Sequence, residues 1–303
     1  MTQSELWREI LNQFSEGIDI ATFRRPNSIN SRLAAWNPKE NSWRWHRSFL
    51  LLAANNLSQS QIETYSKFGN VNIGSPIDIT FPISNASTPS ISINIDYLLA
   101  LYELDFLDEF LFLNKNPRNI FEIGAGFGRT CHAILETVAG VENYTVIDLP
   151  QMLRISKEYL SLVLDIDLFE KITFLDCTQL DFDASNFDLG IQIDALQEME
   201  ISTIDYYMSN FFSKCTYFFS SNPIGKYLPA YAGIDNVDDK LLKTVTSLGL
   251  SRQVVDIWNE FELSRIRKSH IENYSPNSSE IISSRPNPLF PHFEMTLYLN
   301  SNK

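Results

Sequence analysis

Only three cysteines occur in the 303 residues: Cys131, Cys177 and Cys215. An odd number at wide spacing builds neither a disulfide framework nor a Cys-x-x-Cys zinc site, and it suits a reducing compartment. Histidines number four (His46, His132, His270 and His292), and no two stand at a His-x-x-x-His spacing that would hold zinc. Positive charge is scarce as well. Lys plus Arg total 24 against 37 Asp plus Glu, a formal charge of −13. Such a chain repels polyanions at long range, which argues against nucleic acid as a partner. Arg265, Arg267 and Lys268 form only a short basic group. Long apolar runs are missing too. The most apolar stretch, Ile95–Leu113, carries Asp96, Glu103, Asp105, Asp108 and Glu109, which excludes an ordinary membrane span. The first residues lack a basic region followed by an apolar run, so no secretion signal is expected and a cytoplasmic location is.

What is present is the balance of a globular chain, with 44% hydrophobic and 20% charged residues. Two regions read differently. Residues 1–115 are expected to be a helical N-terminal region that covers the substrate, with helices near Ser4–Phe14, Ser42–Asn56 and Ile95–Leu113. Between the second and third, Asn70–Ser92 is rich in Asn, Ser, Gly and Pro and reads as loop with short extended pieces. From residue 116 to 303, short β-rich runs alternate with helical ones. Strands are expected at Ile120–Ile123, Tyr144–Asp148, Ile172–Asp176, Asp188–Ile193, Tyr217–Ser220, Gln253–Trp258 and Glu294–Leu299. Helices are expected at Arg129–Val138, Gln151–Leu164, Ser202–Phe212 and Val237–Leu248. This alternation implies βαβ units and a mostly parallel sheet covered on both faces. The last strand returns after a long excursion, so an antiparallel entry is open to it.

The loop Glu122-Ile-Gly-Ala-Gly-Phe-Gly128 follows the first of these strands and opens a helix. A dinucleotide site wants Gly-x-Gly-x-x-Gly, and counting from Gly124 puts Arg129 in the third glycine slot, where close helix–strand packing has no room for it. The phosphate-binding pattern Gly-x-x-x-x-Gly-Lys-Ser/Thr is absent. Glycines at alternate positions let a backbone pass close beneath a nucleoside, and Glu122 adds negative charge suited to an ammonium group. Acids also end the later strands: Asp148, Asp176 and Asp194. For each the competing reading is a turn former or helix cap, and Asp148 before Leu149-Pro150 is well placed to cap.

Taken together, these residues resemble the class I S-adenosylmethionine-dependent methyltransferases. The resemblance implies a Rossmann-like α/β fold, with a seven-stranded mostly parallel sheet, helices on both faces and a preceding helical region. It also implies S-adenosyl-L-methionine as cofactor, held by Glu122, Gly124, Ala125, Gly126, Gly128 and Leu149, by Asp148 at the ribose, by Asp176 and Cys177 at the adenine, and by Asp194 beside the transferred methyl group. A narrower likeness runs from Asn119 to Asn222. The wording Glu122-Ile-Gly-Ala-Gly-Phe-Gly-Arg-Thr130, Ile147-Asp-Leu-Pro150, Gln197-Glu-Met199 and Ser221-Asn-Pro223 is similar to the sugar O-methyltransferase family of bacterial glycan clusters.

That likeness implies methyl transfer to a hydroxyl of a sugar or glycoconjugate precursor. Asp194 and Glu198 are the candidate catalytic pair, either as base or as joint ligands of a divalent metal ion; Glu198 acting only as a helix-start cap is the competing reading. Gln197, Asn222 and Tyr227 are candidate substrate contacts, with Tyr231 and the aromatics of Ser42-Trp-Arg-Trp-His46 as further acceptor wall. Assembly as a homo-oligomer is left open. Two other functions compete: a natural-product O- or N-methyltransferase, and a non-catalytic module that keeps the cofactor fold for binding.

Overall fold

The computed structural model describes residues 42–83, 90–180, 183–227 and 239–301. The expected helix at Ser4–Phe14 and the candidate Tyr231 lie outside them. The chain divides into two compact units, Met1–Asn56 and Leu57–Lys303. Helix α1 (Ser42–Asn55) belongs to the first. It buries Leu50, Ala53 and Ala54 and leaves Trp43 and Trp45 exposed, the Arg44 guanidinium lying 5.0 Å over the Trp43 ring.

In the second unit, helix α2 (Gln59–Lys67) starts at a capping box. The Gln61 N–H donates to Ser58 Oγ while the Ser58 N–H donates to Gln61 Oε1. Strands β1 (Asp78–Pro82) and β2 (Ser90–Asn94) pair antiparallel in a sheet of their own. Asn94 then caps helix α3 (Ile95–Leu107), accepting the Tyr97 N–H at 3.1 Å. The helical path runs on through a π turn, Asp108–Phe112, to Lys115, and Asn116 in the left-handed region stops it.

Strands and helices alternate from there. β3 (Asn119–Ile123) leads to α4 (Arg129–Thr137), β4 (Asn143–Asp148) to α5 (Pro150–Val163), and the short α6 (Ile166–Phe169) precedes β5 (Ile172–Asp176). Pro150 stands in the first turn of α5, where its missing N–H has no partner to lose. β6 (Leu189–Ile193), α7 (Ile201–Tyr207, extended by a π turn at Met208–Phe212) and β7 (Tyr217–Pro223) follow. The chain closes with α8 (Asp239–Ser247), α9 (Glu260–Asn273), β8 (Ser279–Pro286) and β9 (Phe293–Asn300).

The large sheet has seven strands in the order β5-β4-β3-β6-β7-β9-β8. The four pairings that join β5, β4, β3, β6 and β7 are parallel, and β9 is antiparallel to both β7 and β8. The chain leaves β3 in one direction through β4 and β5, then returns to its other side with β6 and β7. The fold is Rossmann-like. Near-continuous apolar runs such as Ile120-Phe121 in β3 and Phe218-Phe219 in β7 are fully buried, as a sheet covered on both faces requires. None of the helices searched, all within the described residues, is long and apolar enough to cross a membrane.

Two sequence expectations change here. Gln253–Trp258 is not a strand of the sheet: only Val255 is buried in it, and its single ladder contact is a bridge between Val254 and Lys226. The sheet position is taken instead by β8, inside the long excursion, residues 259–292, that precedes the last strand. That segment also contains α9, whose N-terminus is capped by Asn259 accepting the Phe261 and Glu262 N–H groups.

Candidate active site

In an open α/β sheet, the crevice forms where the strand order reverses, at the carboxyl ends of the strands. Here that point lies between β3 and β6, and the glycine loop turns directly over it. Gly124 has φ +76°, and a Cβ there would lie 2.4 Å from the Ala195 Cβ just beyond β6. Only glycine allows this approach. Gly126 has φ +59° with nothing within 4 Å of a built Cβ, so its surface is open. Its N–H donates to Asp148 Oδ2 at 2.9 Å, while the Leu149 N–H donates to Asp148 Oδ1 at 2.7 Å. The carboxylate is thus oriented by two loops, and each oxygen keeps a lone pair for a further donor.

A cavity of about 570 Å³ opens over these strand ends. It brings together the sequence candidates Gly124, Gly126, Asp148, Leu149, Cys177, Asp194 and Glu198, with Met152, Met199 and Tyr207 as apolar wall. Three of these residues carry carboxyl groups, and no Lys or Arg is among those that line it. Asp194 adopts a left-handed conformation, φ 56°, and its N–H donates to the Ser221 carbonyl at 2.8 Å. Non-glycine residues take that conformation at a cost, and Asp is among those that tolerate it. Burial pushes the Asp194 carboxyl up to about 6; Glu198 adds to the rise, while Lys226 and Arg129 oppose it.

Other candidates sit elsewhere. Glu122 is buried beneath the loop, where its carboxyl accepts the Tyr144 hydroxyl at 2.8 Å and burial pushes it up to about 7. Ala125 contributes its carbonyl to the Gly128 N–H, and Gly128 makes room for Leu160, whose side chain a Cβ would meet at 2.8 Å. Asp176 accepts both the N–H and the hydroxyl of Thr178, the turn-forming role. Gln197 is buried with its amide on the Pro223 carbonyl at 2.8 Å, and the buried Asn222 donates to Ser220 Oγ at 2.9 Å. Tyr227 is partly exposed, its ring edge-on to His292. None of these seven lines the cavity.

Arg129, in the slot that a dinucleotide loop gives to glycine, reaches back to α3. Its Nη2 lies 2.9 and 3.1 Å from the two Glu103 oxygens, and Nη1 donates to the Asp96 carbonyl at 3.0 Å. His132, one turn into α4, bonds the Tyr97 hydroxyl; burial lowers it to about 4, so it stays neutral as a structural group. No three His, Cys, Asp or Glu side chains converge as a metal site among the described residues.

No family model matches the sequence, and no curated protein does. Solved structures that the chain is similar to include methyltransferases. The methyltransferase domain of bacterial CtHen1-C aligns with TM-score 0.46 and 14% identity over 66% of this chain and 98% of that one. The glycopeptide N-methyltransferase MtfA complexed with sinefungin gives 0.41 and 11%, over 66% and 85%. The mitomycin 7-O-methyltransferase MmcR gives 0.41 and 11%, over 98% and 76%. Likenesses this distant carry no information about chemistry.

Sequence reasoning missed Lys226. It follows β7, is buried, and donates from Nζ to the Gln197 carbonyl at 2.7 Å. Burial lowers its pKa against the opposing pull of Asp194 and Glu198. A single lysine in Pro223-Ile-Gly-Lys-Tyr227 carries no motif; the available signal was its place just after a strand's carboxyl end. Met152 and Tyr207 were missed because apolar positions in amphipathic helices read equally well as core.

Proposed function

We propose that the chain is an S-adenosylmethionine-dependent methyltransferase acting on a hydroxyl of a sugar or glycoconjugate precursor. The observation that carries the cofactor reading is the Asp148 carboxylate, fixed by the Gly126 and Leu149 N–H groups at a cavity lined by three carboxyl-bearing residues and no cation. Such a wall disfavours the phosphates of a dinucleotide and suits a cofactor that carries a sulfonium and an ammonium group. The residues fit that group. Asp148 has free lone pairs for a ribose diol, Gly126 leaves open surface for close approach, and Leu149 and Met152 offer apolar contact to a base.

When bound, the cofactor supplies a methyl group already activated by the sulfonium. What remains for the chain is to position the acceptor and remove a proton. Asp194 lines the cavity and is a stronger base than an ordinary carboxylate while still ionised at neutral pH. Glu198 lines the same wall and adds to the rise of Asp194. The sugar reading rests on the motif wording around Gln197 and Asn222. A second reading, an amine acceptor of natural-product type, draws on the wall's negative charge, which attracts a protonated amine as well as a sulfonium.

Calorimetry tests the cofactor reading. The native chain is expected to bind S-adenosylmethionine, and Gly126→Arg, which fills the open surface, to lose that binding. Absence of binding to the native chain overturns the reading. A panel of glycan precursors and amines offered with labelled cofactor then separates the two acceptor classes.

A further inference from the structure

The turn that carries the candidate acids needs a clamp. Asp194 ends β6 in a left-handed conformation, and a single 3-10 turn, Leu196–Glu198, brings Glu198 back to the same cavity wall. The turn's own bonds are few and long: the Glu198 N–H reaches the Ala195 carbonyl at 3.2 Å and the Met199 N–H reaches the Leu196 carbonyl at 3.4 Å. Into the middle of it, on the Gln197 carbonyl, projects the Lys226 ammonium at 2.7 Å. A charge-assisted bond of this kind is shorter and stronger than the neutral bonds around it.

Lys226 is itself held from behind. Its N–H donates to the Gln253 carbonyl at 2.8 Å and its carbonyl accepts the Val255 N–H at 2.7 Å, the bridge formed by the segment expected to be a strand. Gly225 beside it packs so closely that a Cβ would lie 2.7 Å from the Gln253 carbonyl oxygen. The backbone of Lys226 is therefore held at one end of the side chain, and the ammonium by the Gln197 carbonyl at the other. The charges that face the ammonium are Asp194 and Glu198, which it attracts, and Arg252, which repels it. Asp194 in turn faces Glu198, Lys226 and Arg129. Lys226 is not among the residues that line the cavity.

The geometry points to Lys226 as a positioning residue of the transfer site: it clamps the Leu196–Glu198 turn through the Gln197 carbonyl and holds the Asp194 and Glu198 carboxylates at the cavity wall. This rests on the methyltransferase reading for its consequence in turnover, but not for the clamp. A lysine with this task acts through others. Its loss leaves the Asp148 edge intact and removes the alignment of the acids.

The test compares Lys226→Met and Lys226→Arg with the native chain, with Lys226→Gln in place of Met should that variant not fold. Hydrogen exchange at Glu198 and Met199 reads the clamp without turnover. It is expected to quicken about tenfold in Lys226→Met, the scale of one charge-assisted bond, and to return towards native in Lys226→Arg. Turnover of an accepted substrate is expected to fall at least about tenfold in kcat in Lys226→Met, with cofactor affinity held within about threefold and most of the rate recovered in Lys226→Arg. Native exchange rates in Lys226→Met, or an equal loss in Lys226→Arg, overturn the proposal. Failure of the native chain to bind cofactor would defeat the methyltransferase reading alone, because the exchange comparison still decides the clamp.

Discussion

Glu122 is a buried carboxyl at the foot of the glycine loop. It was expected to offer its charge to a ligand, and it lies buried with the Tyr144 hydroxyl donating to its carboxyl. Burial raises its carboxyl from 4.5 to about 7, with Tyr144 and Arg129 opposing the rise. Because the folded value exceeds the unfolded one, the native chain binds a proton between these limits that the unfolded chain does not. This contribution to stability is present below about pH 4.5 and is lost as pH rises through about 7. Glu122→Gln keeps an acceptor for Tyr144 and removes the titration. Its denaturation midpoint is expected to exceed that of the native chain at pH 8, with the advantage vanishing near pH 4. Equal midpoints across that range would show that the carboxyl does not titrate in the fold.

Among the elements, the union of α3 with α4 is the one that seats the glycine loop. Arg129 and Glu103 are almost wholly buried, with 13% and 3% of their side chains exposed. Removing one partner of such a pair strands the other charge, a loss of about 3–5 kcal/mol, whereas removing both is far milder. Urea denaturation should therefore find Arg129→Met strongly destabilised and Arg129→Met with Glu103→Leu closer to native. Additive losses would mean that the two charges act separately. This pair was half legible: Arg129 stood out as the wrong residue for a dinucleotide loop, but nothing in the sequence tied it to Glu103, 26 positions earlier.

Elements with a buried apolar face or a glycine turn could be read directly, as β3 to β7 and α4, α5 and α7 were. Gln59–Lys67 and Glu260–Asn273 escaped because they are mostly polar, so the 3.6-residue period was weak; their signals were the caps at Ser58 and Asn259. Gln253–Trp258 was misread for the opposite reason. Its Val-Val-x-Ile composition suits a strand, yet half of its residues are exposed and Lys226 takes its backbone bonds. At the site, strand-end acids were legible by position, but which of them turned inward was not. Asp148 was claimed by neighbouring N–H groups that face the cavity, and Asp176 by Thr178.

For the whole molecule, the net charge of −13 and the acid-lined cavity share a sign, so a cationic ligand is drawn in by both. Salt screens this attraction over about 10 Å at 0.1 M. S-adenosylmethionine carries one more positive charge than its demethylated product. Its preference over that product is expected to fall at least about twofold between roughly 0.05 and 0.5 M salt, measured by calorimetry. A ratio independent of salt would mean that the cavity does not sense the sulfonium.

β9 follows every other described strand along the chain, yet it occupies an interior place, paired to β7 on one side and β8 on the other. Asn300 fastens its end by donating to the Phe212 and Cys215 carbonyls. While the chain is emerging from the ribosome, β7 therefore presents a bare edge until residues 293–300 arrive, and bare edges invite pairing with other chains. Five parallel strands and the glycine crevice can form early, but the sheet closes only after translation has passed β9. In the interval between those two moments the β7 edge is open to pairing with other chains.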